Sequence, residues 1–174
     1  MNLLREHNWA PQYTPASGNL LENFYIPALS CAVRYDRATG YFGAEALLVA
    51  SKGVEQLVAH GGTMRLVCGC TLESGEIAAI RKGESLRETI DAHYLRNPFQ
   101  TDKGSLRDAL ELLAWMVAKG ILEIRLAVAR HPDSGEILGE NGLFHAKYGI
   151  IKDGNGDRIG FSGSINETLA GWTK

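Results

Sequence analysis

Residues 144–168, FHAKYGIIKDGNGDRIGFSGSINET, constrain the fold more tightly than any other part of this chain. Apolar residues run on both sides of Asp153-Gly154-Asn155-Gly156-Asp157, a composition that turns a chain back on itself. The stretch predicts a strand, a tight turn, a second strand and a helix start. His145 and Lys147 are two residues apart, so a strand puts both on one face. Ala146, Tyr148 and Ile150 fall on the other, which suits packing. Ser164 and Glu167 have the spacing of a capping box, with Ser164 as N-cap and Glu167 reaching back. A helix starting there presents free backbone N–H groups, a natural phosphate seat. Gly163 lets a ligand approach the backbone, and Asn166 adds an amide donor.

Plainer explanations exist for these residues. A lone histidine at a strand start is more often structural than catalytic. Capping accounts for Ser164 and Glu167, and Asn166 reads as an ordinary first-turn polar residue. Lys147 shifts the balance. Two basic groups side by side repel, a core face would not select them, and an anion between them removes the conflict.

The rest of the chain reads as a scaffold for this hairpin. Residues 1–18, with Pro11, Pro15 and Gly18, form an irregular lead-in. From Asn19, a possible N-cap, Leu20, Leu21, Phe24 and Ala28 have helical spacing, and Pro27 predicts a kink or restart. Residues 31–42 predict one strand, with a break at Asp36–Thr39. Residues 43–60 predict an amphipathic helix with Leu47, Val54, Leu57 and Val58 on one side, ended by His60-Gly61-Gly62. Thr63–Cys70 is a strand apolar enough to lie inside a sheet. Glu73–Lys82 and Ser85–Tyr94 predict short helices. Ser105–Lys119 is the clearest helix, with Leu106, Leu110, Leu113 and Val117 buried, and Gly120 closes it. Ile121–Ala129 predicts a buried strand, and 131–135 a loop. Helices alternate with strands, so the fold class is α/β: a mixed β-sheet flanked by helices.

Composition narrows the function. The chain has 174 residues, 45% hydrophobic and 22% charged, enough for one globular domain with a full core. The formal net charge of −2 argues against a strongly basic nucleic-acid coat but leaves room for a local patch. No apolar run reaches membrane-spanning length. The N-terminal MNLLREHNWAPQY lacks a signal-peptide layout, which predicts a cytoplasmic protein. Cys31, Cys68 and Cys70 are three thiols with no CxxC or histidine pair, so reduced, small buried residues are expected and no metal is. No GxxxxGK[ST] or GxGxxG occurs, so Gly61-Gly62 is a helix stop. Arg34 and Arg37 read as solvated charges beside Tyr35, and Trp9, Trp115 and Trp172 as packing groups.

His145-x-Lys147 followed by Gly163-Ser164-x-Asn166 resembles the HxK…GSxN signature of the phospholipase D superfamily. The wording FSGSINET, and TGYFG at Thr39–Gly43, look most like its nuclease branch. That group includes the phospholipase D-like N-terminal domain of bacterial helicase-like and restriction-type proteins. The resemblance covers the chain loosely from residue 19, so the domain is 19–174, and is specific only in the last thirty residues or so. It implies a metal-independent phosphodiesterase or endonuclease acting on DNA, with no cofactor and no membrane partner. His145 would be the nucleophile, forming a phosphohistidine. Lys147, Asn166 and the backbone at Gly163 and Ser164 would bind the phosphoryl oxygens.

Three departures from the family pattern matter. The signature often carries an aspartate five residues after the lysine; Lys152 stands there and Asp153 one later, so that role is not transferred. Only one HxK motif is present, since His7, His60, His93 and His131 have no lysine two residues on. The resemblance then implies a homodimer whose partner copy supplies the acid histidine, across a two-fold that makes an isologous contact natural. A Glu, Asp or Gln that orients the nucleophile usually follows the asparagine by about one helix, which implies a chain cut short at Lys174. The alternative is a non-catalytic module that positions nucleic acid for a larger helicase motor. Lipid transphosphatidylation is the weakest option, because no amphipathic membrane face is visible.

Overall fold

The computed structural model describes residues 3–14, 18–43, 45–69, 108, 112–113, 115–138 and 143–166. Among these, five strands form one mixed sheet: β1 (Ala32–Thr39), β2 (Thr63–Gly69), β3 (Leu122–Ala127), β4 (Lys147–Asp153) and β5 (Arg158–Ser162). Their order is β3-β2-β1-β4-β5. β1 pairs parallel with β2, and β2 with β3. β4 runs antiparallel to both β1 and β5. The mixed α/β architecture expected from the sequence is present. No helix among the described residues is long and apolar enough to cross a membrane.

Glycine helix stops feed the parallel strands. α3 (Ser51–Ala59) ends with Gly62 N–H bonded to Leu57 O at 2.8 Å and Gly61 N–H to Val58 O at 2.9 Å. Gly61 takes φ +66°, a left-handed turn that only glycine adopts cheaply. The helix at 115–118 ends the same way, with Ile121 N–H to Met116 O at 2.9 Å and Gly120 at φ +69°. Each stop delivers the chain directly into the strand that follows.

One sheet face carries the core. Tyr35, Met64, Leu66, Leu122 and Ile151 project from it and are buried with Ala28 and Leu29 of α1 (Ile26–Cys31) and Val54 and Leu57 of α3. α1 and α3 approach closely because Gly53 has no side chain: a Cβ there would stand 2.8 Å from Leu29 Cβ. Asn19 caps the helical run that precedes α1, its Oδ1 accepting from Leu21 N–H at 2.9 Å. That run is a π-turn, Leu21–Tyr25, which gives way to α1 where Pro27 removes a donor.

The lead-in is tied to the hairpin. Leu4, 2% exposed, opens a 3-10 turn (Leu4–Glu6), and its N–H donates to Asp153 Oδ2 at 3.0 Å. Asp153 is fully buried, and its Oδ1 accepts from Asn155 N–H at 3.0 Å and Asp157 N–H at 2.9 Å. One carboxylate therefore fixes the β4–β5 turn and docks the N-terminus. Trp9 Nε1–H donates to Leu4 O at 2.7 Å, and its ring meets Phe24 edge-on, which is the packing role expected of it.

Several local expectations change. β1 is continuous through Asp36–Thr39, because β2 and β4 hold it on both edges. In place of the single helix expected over 43–60 there are two, α2 (Glu45–Val49) and α3, with a turn at buried Ala50. β3 is an edge strand of the described sheet and is only half-buried. Met116 rather than Val117 is buried on its helix, since it stacks above Leu112 and Leu113 at helical spacing. Trp115 is 43% exposed, so its packing is partial. The hairpin's faces are the reverse of the expectation. Tyr148 and Ile150 are exposed, while the face carrying Lys147, Gly149, Ile151 and Asp153 is buried. The expected helices at 73–82 and 85–94, the capping residue Glu167 and Trp172 lie outside the described residues.

Candidate active site

β1 and β2 both end, at Thr39 and Gly69, on the edge of the sheet where β4 begins at Lys147. Thr39 pairs with Cys68 on one side and Lys147 on the other. β5 finishes beside them, Ser162 opposite Tyr148, so residues 163–166 leave the sheet at the same end. A crevice beyond the carboxyl ends of parallel strands is where α/β sheets gather ligand groups.

Glycines let these segments converge. A Cβ on Gly69 would stand 2.7 Å from Gly40 O and 2.8 Å from Phe144 O. A Cβ on Gly40 would stand 3.0 Å from His145 Cδ2, 3.3 Å from Phe144 O and 3.4 Å from Asn166 Oδ1. Gly40 is thus the floor between His145 and Asn166, which the sequence separates widely. The approach at Gly69 is possible only because no side chain intervenes, and a side chain at Gly40 would crowd the His145 ring.

Asn166 is held with its oxygen inward. Its Oδ1 accepts from Tyr41 N–H at 3.3 Å and lies 3.5 Å from Thr39 Oγ1. The Thr39 hydroxyl donates to Tyr41 O at 2.9 Å. A backbone N–H can only donate, so the oxygen of the amide must face it, and the Nδ2 donors are turned the other way.

Lys147 opens β4 and is 9% exposed. Its Nζ has no hydrogen-bond partner among the described residues. Burial, and secondarily the Arg37 guanidinium, push its pKa below the usual lysine value. A buried ammonium with no acceptor is costly, and an anionic ligand would remove that cost.

Arg37 was expected in solvent and is 4% exposed. It shares the inner face of β1 with Tyr35 and Thr39, which is the signal the sequence did offer. Its Nη2 donates to Ile165 O at 2.7 Å and ties down the segment that carries Asn166. The guanidinium sits 5.2 Å from the centre of the Phe161 ring, a cation–π distance. Phe161 in turn lies over Gly149, where a Cβ would collide with the ring. Glu45, at the start of α2, is also buried, and its Oε1 has no partner among the described residues.

His145 is exposed and lies two residues before β4, against Gly40. No hydrogen bond to its ring occurs among the described residues. The Gly163 N–H donates to Lys147 O at 3.0 Å and extends the hairpin ladder, so that amide is already paired. What Gly163 does offer is open space, since nothing lies within 4 Å of where its Cβ would be. Ser164 is exposed next to it. Asp153 lies at the far end of β4, roughly 20 Å from Lys147 at the usual rise per strand residue, with its oxygens used by backbone donors.

His145, Lys147, Ser164 and Asn166 thus belong to one edge of the sheet, with Arg37, Thr39 and Gly40 as supports that the motif alone does not reveal. No protein-family model matches the chain, and no curated protein matches it.

Proposed function

We propose that this chain is a phosphodiesterase domain that cleaves DNA through a covalent phosphohistidine. The observation that carries the reading is the buried Lys147 ammonium, unpartnered among the described residues, on the residue that pairs with Thr39 at the strand end where His145 and Asn166 meet over Gly40. A phosphoryl oxygen is the acceptor such a group lacks, and the Asn166 amide is turned to donate to a second one. The HxK…GSxN resemblance to the phospholipase D nuclease branch points to the same chemistry.

In the proposed reaction an imidazole nitrogen of His145 attacks phosphorus. The bond from phosphorus to the leaving oxygen breaks, and that oxygen takes a proton from the histidine of a second copy of the chain. Water then attacks the phosphohistidine, gives its proton to the same partner histidine, and releases His145. Lys147 and Asn166 hold the oxygens whose charge grows along the way. The domain would serve a larger helicase-like protein and pair as a homodimer to complete one site. The test is cleavage of DNA in EDTA, with His145→Ala as control, in the full-length gene product. Cleavage that demands magnesium, or that survives the substitution, rejects the reading.

A non-catalytic anchor is the second reading. It is favoured by the absence of any hydrogen bond orienting His145 among the described residues, whereas the Lys147 seat needs no oriented imidazole. Salt-dependent DNA binding lost in Lys147→Ala, with no cleavage under any condition, would select it.

A further inference from the structure

Tyr41 combines a fixed backbone with a free ring. Its N–H donates to Asn166 Oδ1 at 3.3 Å, and its carbonyl accepts from Thr39 Oγ1 at 2.9 Å. Gly40, the residue before it, is wedged against His145 and Phe144 and has Gly69 over its carbonyl. The segment 39–41 is therefore clamped by the end of β2, by 144–145 and by Asn166. Yet the Tyr41 side chain is 55% exposed. Stability does not ask for an aromatic at that place, because the ring contributes little to the core.

Position distinguishes Tyr41 from the other exposed aromatics among the described residues. Tyr148 projects from the opposite sheet face and Trp115 from the helix at 115–118. Tyr41 stands about 3.8 Å along the backbone from the glycine that touches the His145 ring. On the other side of His145, Leu143 is 56% exposed. Both side chains are exposed, and the Tyr41 backbone is bonded directly to Asn166 of the seat. A π-face on a rigid backbone beside a phosphate seat is what a nucleobase attached to that phosphate can stack on. In a duplex the base faces are already stacked on their neighbours, and only an unpaired base has a face to offer.

We propose that Tyr41 is the stacking platform for an unpaired base next to the phosphate held at Lys147, so that the site takes single-stranded nucleic acid. The inference rests on the phosphate-seat reading above and adds strandedness to it. Tyr41 binds substrate and takes no part in proton or phosphoryl transfer. The phenol hydroxyl is not required; the ring is.

The test compares a short oligothymidylate with a backbone of equal length carrying abasic tetrahydrofuran sites, by fluorescence anisotropy at one fixed salt concentration. Wild type should bind the base-bearing strand about tenfold or more tightly, the factor expected for one base on one aromatic. Tyr41→Phe should keep that preference. Tyr41→Ala and Tyr41→Leu should abolish it while leaving abasic binding unchanged; the leucine variant keeps apolar area but has no π-face. A Tyr41→Leu protein that still discriminates, a Tyr41→Ala protein that matches wild type, or tighter binding to duplex than to single strand overturns the inference alone. Absence of any Lys147-dependent binding to either strand overturns the phosphate-seat reading and the inference with it.

Discussion

The Tyr41 N–H and Asn166 Oδ1 are joined at 3.3 Å, and this contact decides which way the asparagine amide faces. Because the main-chain donor takes the oxygen, both Nδ2 hydrogens remain for a ligand. Asn166→Asp keeps an acceptor for Tyr41 and removes the donors. It should leave the melting temperature within about 2 °C of wild type, as near-neutral changes do in chains of this size. It should weaken phosphate binding by about tenfold or more, the cost of one lost charge-assisted hydrogen bond plus like-charge repulsion. Isothermal titration with inorganic phosphate and a thermal melt on the same preparation check both halves. Equal affinity would mean that the amide does not face the ligand.

Lys147 should show the opposite pattern, with stability rising as function is lost. Replacing a buried, unsatisfied ammonium by an apolar chain of similar length removes a burial penalty. Lys147→Met should therefore raise the stability of the ligand-free protein by about 1 kcal/mol near neutral pH. The pKa of Lys147 is lowered by burial and then by Arg37, so the folded state disfavours the charged form. The penalty is complete below the folded pKa and disappears as pH rises past the unfolded one. Denaturant melts should accordingly find the largest gap between variant and wild type at neutral pH and see it close in alkali. Phosphate binding should fade over the same rise, at a lower pH than an exposed lysine would permit. A gap independent of pH would contradict this account.

Asp153 makes a stability prediction that leaves the site alone. Its two oxygens serve the N–H groups of Leu4, Asn155 and Asp157 at 3.0, 3.0 and 2.9 Å, and it has no exposure to water. Removing an acceptor that serves three backbone donors costs about 3 kcal/mol. Asp153→Ala should lower the melting temperature by several degrees and loosen residues 3–14, seen as faster amide exchange at Leu4 and Asp157. Phosphate affinity in the folded variant should be unchanged, since the carboxylate lies at the other end of β4. A selective loss of affinity would show that Asp153 belongs to the site after all.

What the sequence disclosed follows the range of the forces involved. Turn chemistry is local, so the 153–157 turn and the stops at Gly61 and Gly120 could be read directly, as could the Asn19 cap. The α/β class followed from alternating periodicities. The inner face of the hairpin was misread because Tyr148 and Ile150 look more apolar than Lys147 and Gly149. Burial there is set by what Phe161 and Arg37 bring across the sheet, and neither is a neighbour in sequence. The same limit hid Arg37: an arginine next to Asp36 looks solvated until β1 is placed between β2 and β4. His145, Lys147 and Asn166 were legible as a motif. The convergence of His145 and Asn166 on Gly40 was not, because it depends on three separate segments meeting at one strand end.

That convergence gives the sharpest test of the site as a geometric unit. Gly40 needs no left-handed backbone, so alanine is permitted by its conformation and opposed only by its neighbours. The added methyl would stand 3.0 Å from the His145 ring and 3.3 Å from Phe144 O, so the ring must give way by a few tenths of an ångström, while Asn166 Oδ1 at 3.4 Å is an ordinary contact. His145 is exposed and can yield at small cost, so Gly40→Ala should destabilise the fold by no more than about 1 kcal/mol. The displacement falls instead on the spacing between the imidazole and the amide. Misplacing reacting groups by a fraction of an ångström to one ångström can cost about a hundredfold in rate. DNA cleavage by Gly40→Ala should therefore drop far more than its stability does, and more than phosphate affinity, which rests chiefly on Lys147. If cleavage falls only in proportion to the folded fraction, Gly40 is a packing residue and His145 and Asn166 do not work on one phosphate.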